Sequence, residues 1–151
     1  MAKLNIVKVG DDVLRKKCRT VTAFDEKLHI LLDDMAETLA KAEGAGLAAP
    51  QVGILRRVVI VDVHDGKGVI ELINPEIIAT EGVQCGGEGC LSLPGEWREV
   101  ERPNKVTVKA QDRNGEEFTV TGEGLLARAF CHELDHLEGV LFIDKAKLDI
   151  E

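Results

Sequence analysis

The chain has 151 residues, 44% of them hydrophobic and 30% charged, with a net charge of −8. That length fits one domain, residues 1–151, with a single sizeable core. The acidic balance and the lack of a long Lys/Arg run argue against direct nucleic-acid binding. No apolar run approaches the ~18 residues of a membrane span, and the opening MAKLNIVKVGDD has no apolar signal core.

Aromatic residues make up 3% and tyrosine is absent, so the core must rely on Val, Ile, Leu and Ala. Cys18, Cys85, Cys90 and Cys131, in a chain of this length without an export signal, point to free or metal-bound thiols and a reducing cytosol.

In chain order, GDDVLRKKC (10–18) predicts a short helix opened by Asp11 or Asp12. Leu28, Leu31, Leu32, Met35, Leu39 and Ala42 recur at three- and four-residue steps, predicting a helix over Asp25–Ala42, with Gly44 as its stop. GAGLAAPQVG (44–53) reads as a tight connection able to lie against another element. Val58–Val63 suits a buried strand, and Val69–Ile78 is a second strand region interrupted by Asn74-Pro75. Glycines 82, 86, 87 and 89 break up the stretch leading to Cys90. Val106–Ala110, the turn DRNG (112–115), and Phe118 with Val120 form a hairpin. Leu125–Leu137 is helical in composition. Strands between terminal helices predict an α+β domain on an antiparallel or mixed sheet.

The last helix carries His132-Glu133-x-x-His136. Histidines four apart share a helix face and can hold a metal, while the Glu133 carboxylate beside them can accept a proton from water. The pattern alone is also compatible with a solvated helix face. A third ligand is needed. The metzincin position holds Phe142, and the acids after His136 (Glu138, Asp144, Asp149, Glu151) lie on a short tail, which disfavours a zincin-like endopeptidase. Cys90, in GGEGCLSLPG (86–95), is the better candidate, because a thiolate is a strong ligand and its glycines allow close approach. Cys18 suits a core position, and Cys131 points about 100° away from His132. Cys85 competes: with Cys90 and both histidines it would close a non-catalytic Cys2His2 structural zinc site, leaving Glu133 without a water. Leu125 and Ala129 share the histidine face, either as core or as an apolar wall for a hydrophobic substrate side chain.

Three stretches, GAGLAAPQ (44–51), EGCLS (88–92) and HELDH (132–136), together resemble peptide deformylase, and VGDDVLR (9–15) and GVLFID (139–144) extend the likeness over almost the whole chain. The resemblance implies a sheet packed around a central C-terminal metal-binding helix. It implies removal of the N-formyl group from N-terminal formyl-methionine of new polypeptides. Cys90, His132 and His136 would bind the metal, and Glu133 would be the general acid and base. The Gln51 side chain and the Leu91 backbone N–H would stabilise the oxyanion, and Gly46 would position the substrate backbone. The metal implied is ferrous iron, with zinc, nickel or cobalt as substitutes. Partner and place would be the nascent formyl-methionyl chain, met by a monomer in the cytoplasm.

Three features depart from the family. Cys131 stands where many members have Gln before the first histidine. Trp97 stands where some carry Arg, with Arg98 or Arg102 as possible substitutes. The tail DKAKLDIE (144–151) is too short to carry over ribosome docking through a basic C-terminal helix.

Overall fold

The computed structural model describes residues 4–146. A 3-10 turn, Asp12–Arg15, opens with the Asp11 side chain accepting the Val13 N–H. Helix α1, Glu26–Ala42, is capped by Asp25, whose side chain accepts the Leu28 N–H, and it buries Leu28, Leu31, Leu32, Met35 and Leu39. It ends at Glu43, in the left-handed region at φ 58°, rather than at the expected Gly44. Gly44 serves a different purpose, because a Cβ there would stand 2.8 Å from the Leu91 side chain.

The expected connection after α1 contains a strand, β1 (Gly46–Ala48), and a 3-10 turn, Ala49–Val52. Strand β2 is Val58–Val61, and β3, Ile70–Glu81, runs past Asn74-Pro75 by shifting register between Ile73 and Glu76. Asn74, at φ 52°, uses the irregularity to clamp the N-terminal segment: its amide donates to the Val21 carbonyl at 2.9 Å and accepts the Val21 N–H at 2.8 Å.

The glycine-rich stretch expected to be broken up is itself a strand, β4 (Gln84–Cys90), and it pairs with β5 (Leu93–Arg102) through a two-residue turn, Leu91–Ser92. Strand β5 buries only Val100 and Arg102, so no alternating pattern announced it. The expected hairpin is β6 (Lys105–Gln111) with β7 (Glu117–Glu123), and helix α2 is Leu125–Leu137. One further helical turn, Phe142–Lys145, follows.

The five-stranded sheet runs β1-β2-β3-β6-β7, with every neighbouring pair antiparallel, and β4–β5 form a separate ribbon. Strand β2 is buried at all four positions because both faces are covered. Val58 and Ile60 pack with α1, and Val59 and Val61 with the α2 core around Phe130 and Leu137. The architecture is α+β, with α2 enclosed between sheet and ribbon. Among the described residues no helix is long and apolar enough to cross a membrane.

Candidate metal centre

Cys90 closes β4, while His132 and His136 face it from successive turns of α2. Cys90 Sγ lies 3.5 Å from His136 Nε2, which lies 3.3 Å from His132 Nε2, and the three ligand atoms fall within 4.8 Å of one another. Tetrahedral binding with metal–nitrogen distances of about 2.05 Å and metal–sulfur of about 2.3 Å requires N···N near 3.3 Å and N···S near 3.6 Å. The two separations that involve His136 Nε2 thus match those a shared divalent ion would impose.

Their orientation is fixed from behind. His132 Nδ1 lies 2.5 Å from Glu88 Oε2, which turns Nε2 toward the other donors. Glu88 also accepts from Arg102 Nε at 3.1 Å, Arg102 Nη2 at 2.7 Å and Arg128 Nη1 at 2.8 Å. Arg102 reaches on to Asp135 at 2.8 Å. Burial alone would raise the Glu88 carboxyl, but the hydrogen bonds from His132 and Arg102 outweigh it and hold it at about 2. Burial likewise opposes charge on His132, yet Glu133, Cys90 and Glu88 push it up to about 10. Burial, and then the charge of His132, push His136 down to about 3.

Glu133 differs from Glu88. It is buried, no cation bonds it, and its Oε1 has no hydrogen-bond partner among the described residues. Burial raises its carboxyl to about 7, with His132 opposing. It fits against β1 because residue 46 is glycine: a Cβ there would come within 2.7 Å of Glu133 Oε2. A carboxyl that can be neutral or charged near pH 7, with one unsatisfied oxygen, suits proton transfer.

Gln51 is buried, and its amide is oriented by its own turn, Oε1 accepting the Ala48 N–H at 2.9 Å. That leaves Nε2 facing the donors, 3.2 Å from Ser92 Oγ and 3.5 Å from Cys90 Sγ. Leu91 lies at the ribbon tip against Gly44. A cavity of about 550 Å³ opens beside these groups, lined by Gly46, Leu91, Leu125, Ala129, His132 and Glu133 among others. Ala129 is buried in the α2 core and lines the cavity as well, so the two readings of that face coexist, while Leu125 is exposed at the mouth.

Other candidates fall elsewhere. Cys85 is exposed on β4 opposite Glu101 and is not among the convergent donors; Cys131 is buried in the α2 core, and Cys18 packs half-buried against it. Arg102 cannot substitute for a substrate-binding arginine, because it is buried and bonded to Glu88 and Asp135. Arg98 pairs with Glu96 on the surface. Asp149 and Glu151, weighed as ligands, lie outside the described residues, as does most of the tail from 147.

Sequence reasoning missed the Glu88–Arg102–Arg128 group. Its signal was present, since Glu88 precedes Cys90 by two on one strand face and Arg128 precedes His132 by four on one helix face.

The family model described as polypeptide deformylase matches residues 3–149. A peptide deformylase from Caldicellulosiruptor bescii is 58% identical over 145 residues, 96% of this chain and 86% of that protein. The crystal structure of the Thermotoga maritima peptide deformylase is 44% identical, with a TM-score of 0.94 over 98% of this chain and 100% of that one. That of the Synechococcus elongatus enzyme in complex with actinonin is 42% identical, with a TM-score of 0.92 over 98% and 82%.

Proposed function

We propose, from the premise that this chain belongs to the peptide deformylase family and removes N-formyl groups from nascent peptides, that Cys90, His132 and His136 hold its metal and Glu133 carries its proton. The observation that carries the reading is the convergence of one sulfur and two Nε2 atoms beside the unpartnered Glu133 Oε1. A divalent ion held by Cys90, His132 and His136 would supply Lewis acidity toward the formyl carbonyl and toward water. The metal proposed on the family resemblance is ferrous iron in the cell, with zinc, nickel or cobalt able to substitute, and one sulfur with two imidazoles is a donor set that accepts any of them.

The chain's own groups do the rest. The Gln51 amide donates to the oxygen of the tetrahedral intermediate, joined by the Leu91 N–H, and loss of one such donor costs about 3–4 kcal/mol of barrier. Glu133 takes a proton from water at Oε1 and returns it to the departing amine. Glu88 keeps His132 in the tautomer that presents Nε2. Gly46 leaves room for the substrate backbone, and Leu125 and Ala129 wall the methionine side chain.

The reading extends to one catalytic domain over residues 1–151, acting as a cytoplasmic monomer on nascent formyl-methionyl chains, with no part for membrane or nucleic acid. Its support is the family match over residues 3–149 and the net charge of −8.

The test is formate release from a formyl-methionyl peptide by protein purified without oxygen, alongside metal analysis. Glu133→Gln should keep metal and lose activity, and Cys85→Ser should change neither. Metal loss in Cys85→Ser with an unaffected Glu133→Gln would favour the closed structural site. Cleavage of internal bonds with the formyl peptide untouched would favour an endopeptidase.

A further inference from the structure

The cavity continues outward to an exposed apolar rim. Trp97, 69% exposed, and Leu125, 58% exposed, both stand on it. Large apolar side chains left in water beside a cavity mark a surface that a ligand covers.

Trp97 projects from β5 across the glycines of β4. A Cβ on Gly89 would meet its ring at 3.1 Å and one on Gly87 at 3.9 Å, so the indole lies along bare backbone on one side and faces water on the other. Gly89 adjoins Cys90. An extended peptide rises about 3.3 Å per residue, which brings the one or two residues after the reacting end to this ring. Cations near the rim are already committed: Arg98 to Glu96, Arg128 to Glu88, and Arg102 to Glu88 and Asp135. Leu93 and Pro94 extend the apolar lining.

We infer that Trp97, resting on Gly87 and Gly89, packs against apolar or aromatic side chains in the two residues that follow methionine and makes this chain prefer such peptides. The inference rests on the deformylase reading above. An aromatic contact of this kind raises affinity about tenfold, so it acts on KM, because Trp97 is remote from bond breaking.

The chain contains one tryptophan, so emission excited at the indole reports on Trp97 alone. The experiment compares formyl-Met-Leu-Phe with formyl-Met-Ser-Ser, and titrates the deformylated products Met-Leu-Phe and Met-Ser-Ser by fluorescence. Expected are a KM about tenfold lower for the apolar peptide and a blue-shifted emission with Met-Leu-Phe but not Met-Ser-Ser. Trp97→Ala should abolish the KM difference with kcat changed less than about twofold, and Trp97→Phe should retain most of it. Equal KM values in wild type and Trp97→Ala, with an emission unmoved by saturating Met-Leu-Phe, would overturn the inference. A wild type that releases formate from neither peptide would strike the deformylase reading instead, and the emission shift would still decide the role of Trp97.

Discussion

Two arginines in this chain make nearly the same clamp in opposite surroundings. Arg102 grips Glu88 through Nε and Nη2 and reaches Asp135, and Arg113 grips Glu71 through Nε and Nη2 and reaches Asp33. The Arg102 side chain is 5% exposed and that of Arg113 32%. The buried clamp fixes Glu88, and Glu88 fixes the His132 imidazole; the surface clamp ties the β6–β7 turn to α1 and β3. Similar bonds thus carry different consequences, because burial makes the loss of one partner leave a poorly compensated charge. Glu133 completes the contrast as a carboxyl buried with no cation bonded to it, left free to exchange a proton.

The largest expected effect tests that third case. Glu133→Gln, similar in shape and unable to carry the proton, should lower kcat by about 10²- to 10⁴-fold with fold and metal content retained. Next comes the buried clamp. Arg102→Ala should destabilise the protein by about 3 kcal/mol in chemical denaturation, since it takes two hydrogen bonds from buried Glu88, leaving it to Arg128 and His132, and one from Asp135. A value near that of a surface pair would break the comparison.

Thiol chemistry reads burial independently. Burial pushes Cys18 and Cys131 up to about 11 from an ordinary 9.0, whereas Cys85 is exposed. A raised thiol pKa means less thiolate at any pH below it. At pH 8 both should therefore alkylate about a hundredfold more slowly than a thiol at the ordinary 9.0, and more slowly than exposed Cys85, with rates still climbing toward pH 11. Mass spectrometry of the labelled peptides measures this, and equal rates would contradict it.

The smallest effect belongs to the exposed clamp. Arg113→Ala should cost about 0.2–1 kcal/mol, diminished by salt, with formate release unchanged.

The same contrast explains how much was legible in the sequence. Helix α1 was readable because one stripe of it faces a core, and Leu28 to Leu39 keep that period; helix α2, buried on nearly every side, was readable from its helix-forming composition instead. Strand β2 showed as a continuous apolar run because α1 and α2 cover both its faces. Strands β4 and β5 were hidden because the ribbon serves the cavity and the surface more than the core: it is rich in glycine, and Trp97 faces outward. The convergence of Cys90 with His132 and His136 spans more than forty positions, and spacing alone left Cys85 in contention; β4 resolves it by carrying Cys85 into solvent while ending at Cys90 beside α2. Glu88 escaped notice because its partners Arg102, Arg128 and His132 lie 14, 40 and 44 positions away, and its two-residue step to Cys90 does not by itself reveal them.

The central claim is a metal held by one thiolate and two imidazoles with a position left open. X-ray absorption at the metal edge of anaerobically purified protein tests it most directly. The account predicts one sulfur, two imidazole nitrogens and at least one further light atom, unchanged in Cys85→Ser. Two sulfurs in the wild type, or a spectrum without sulfur, would contradict it.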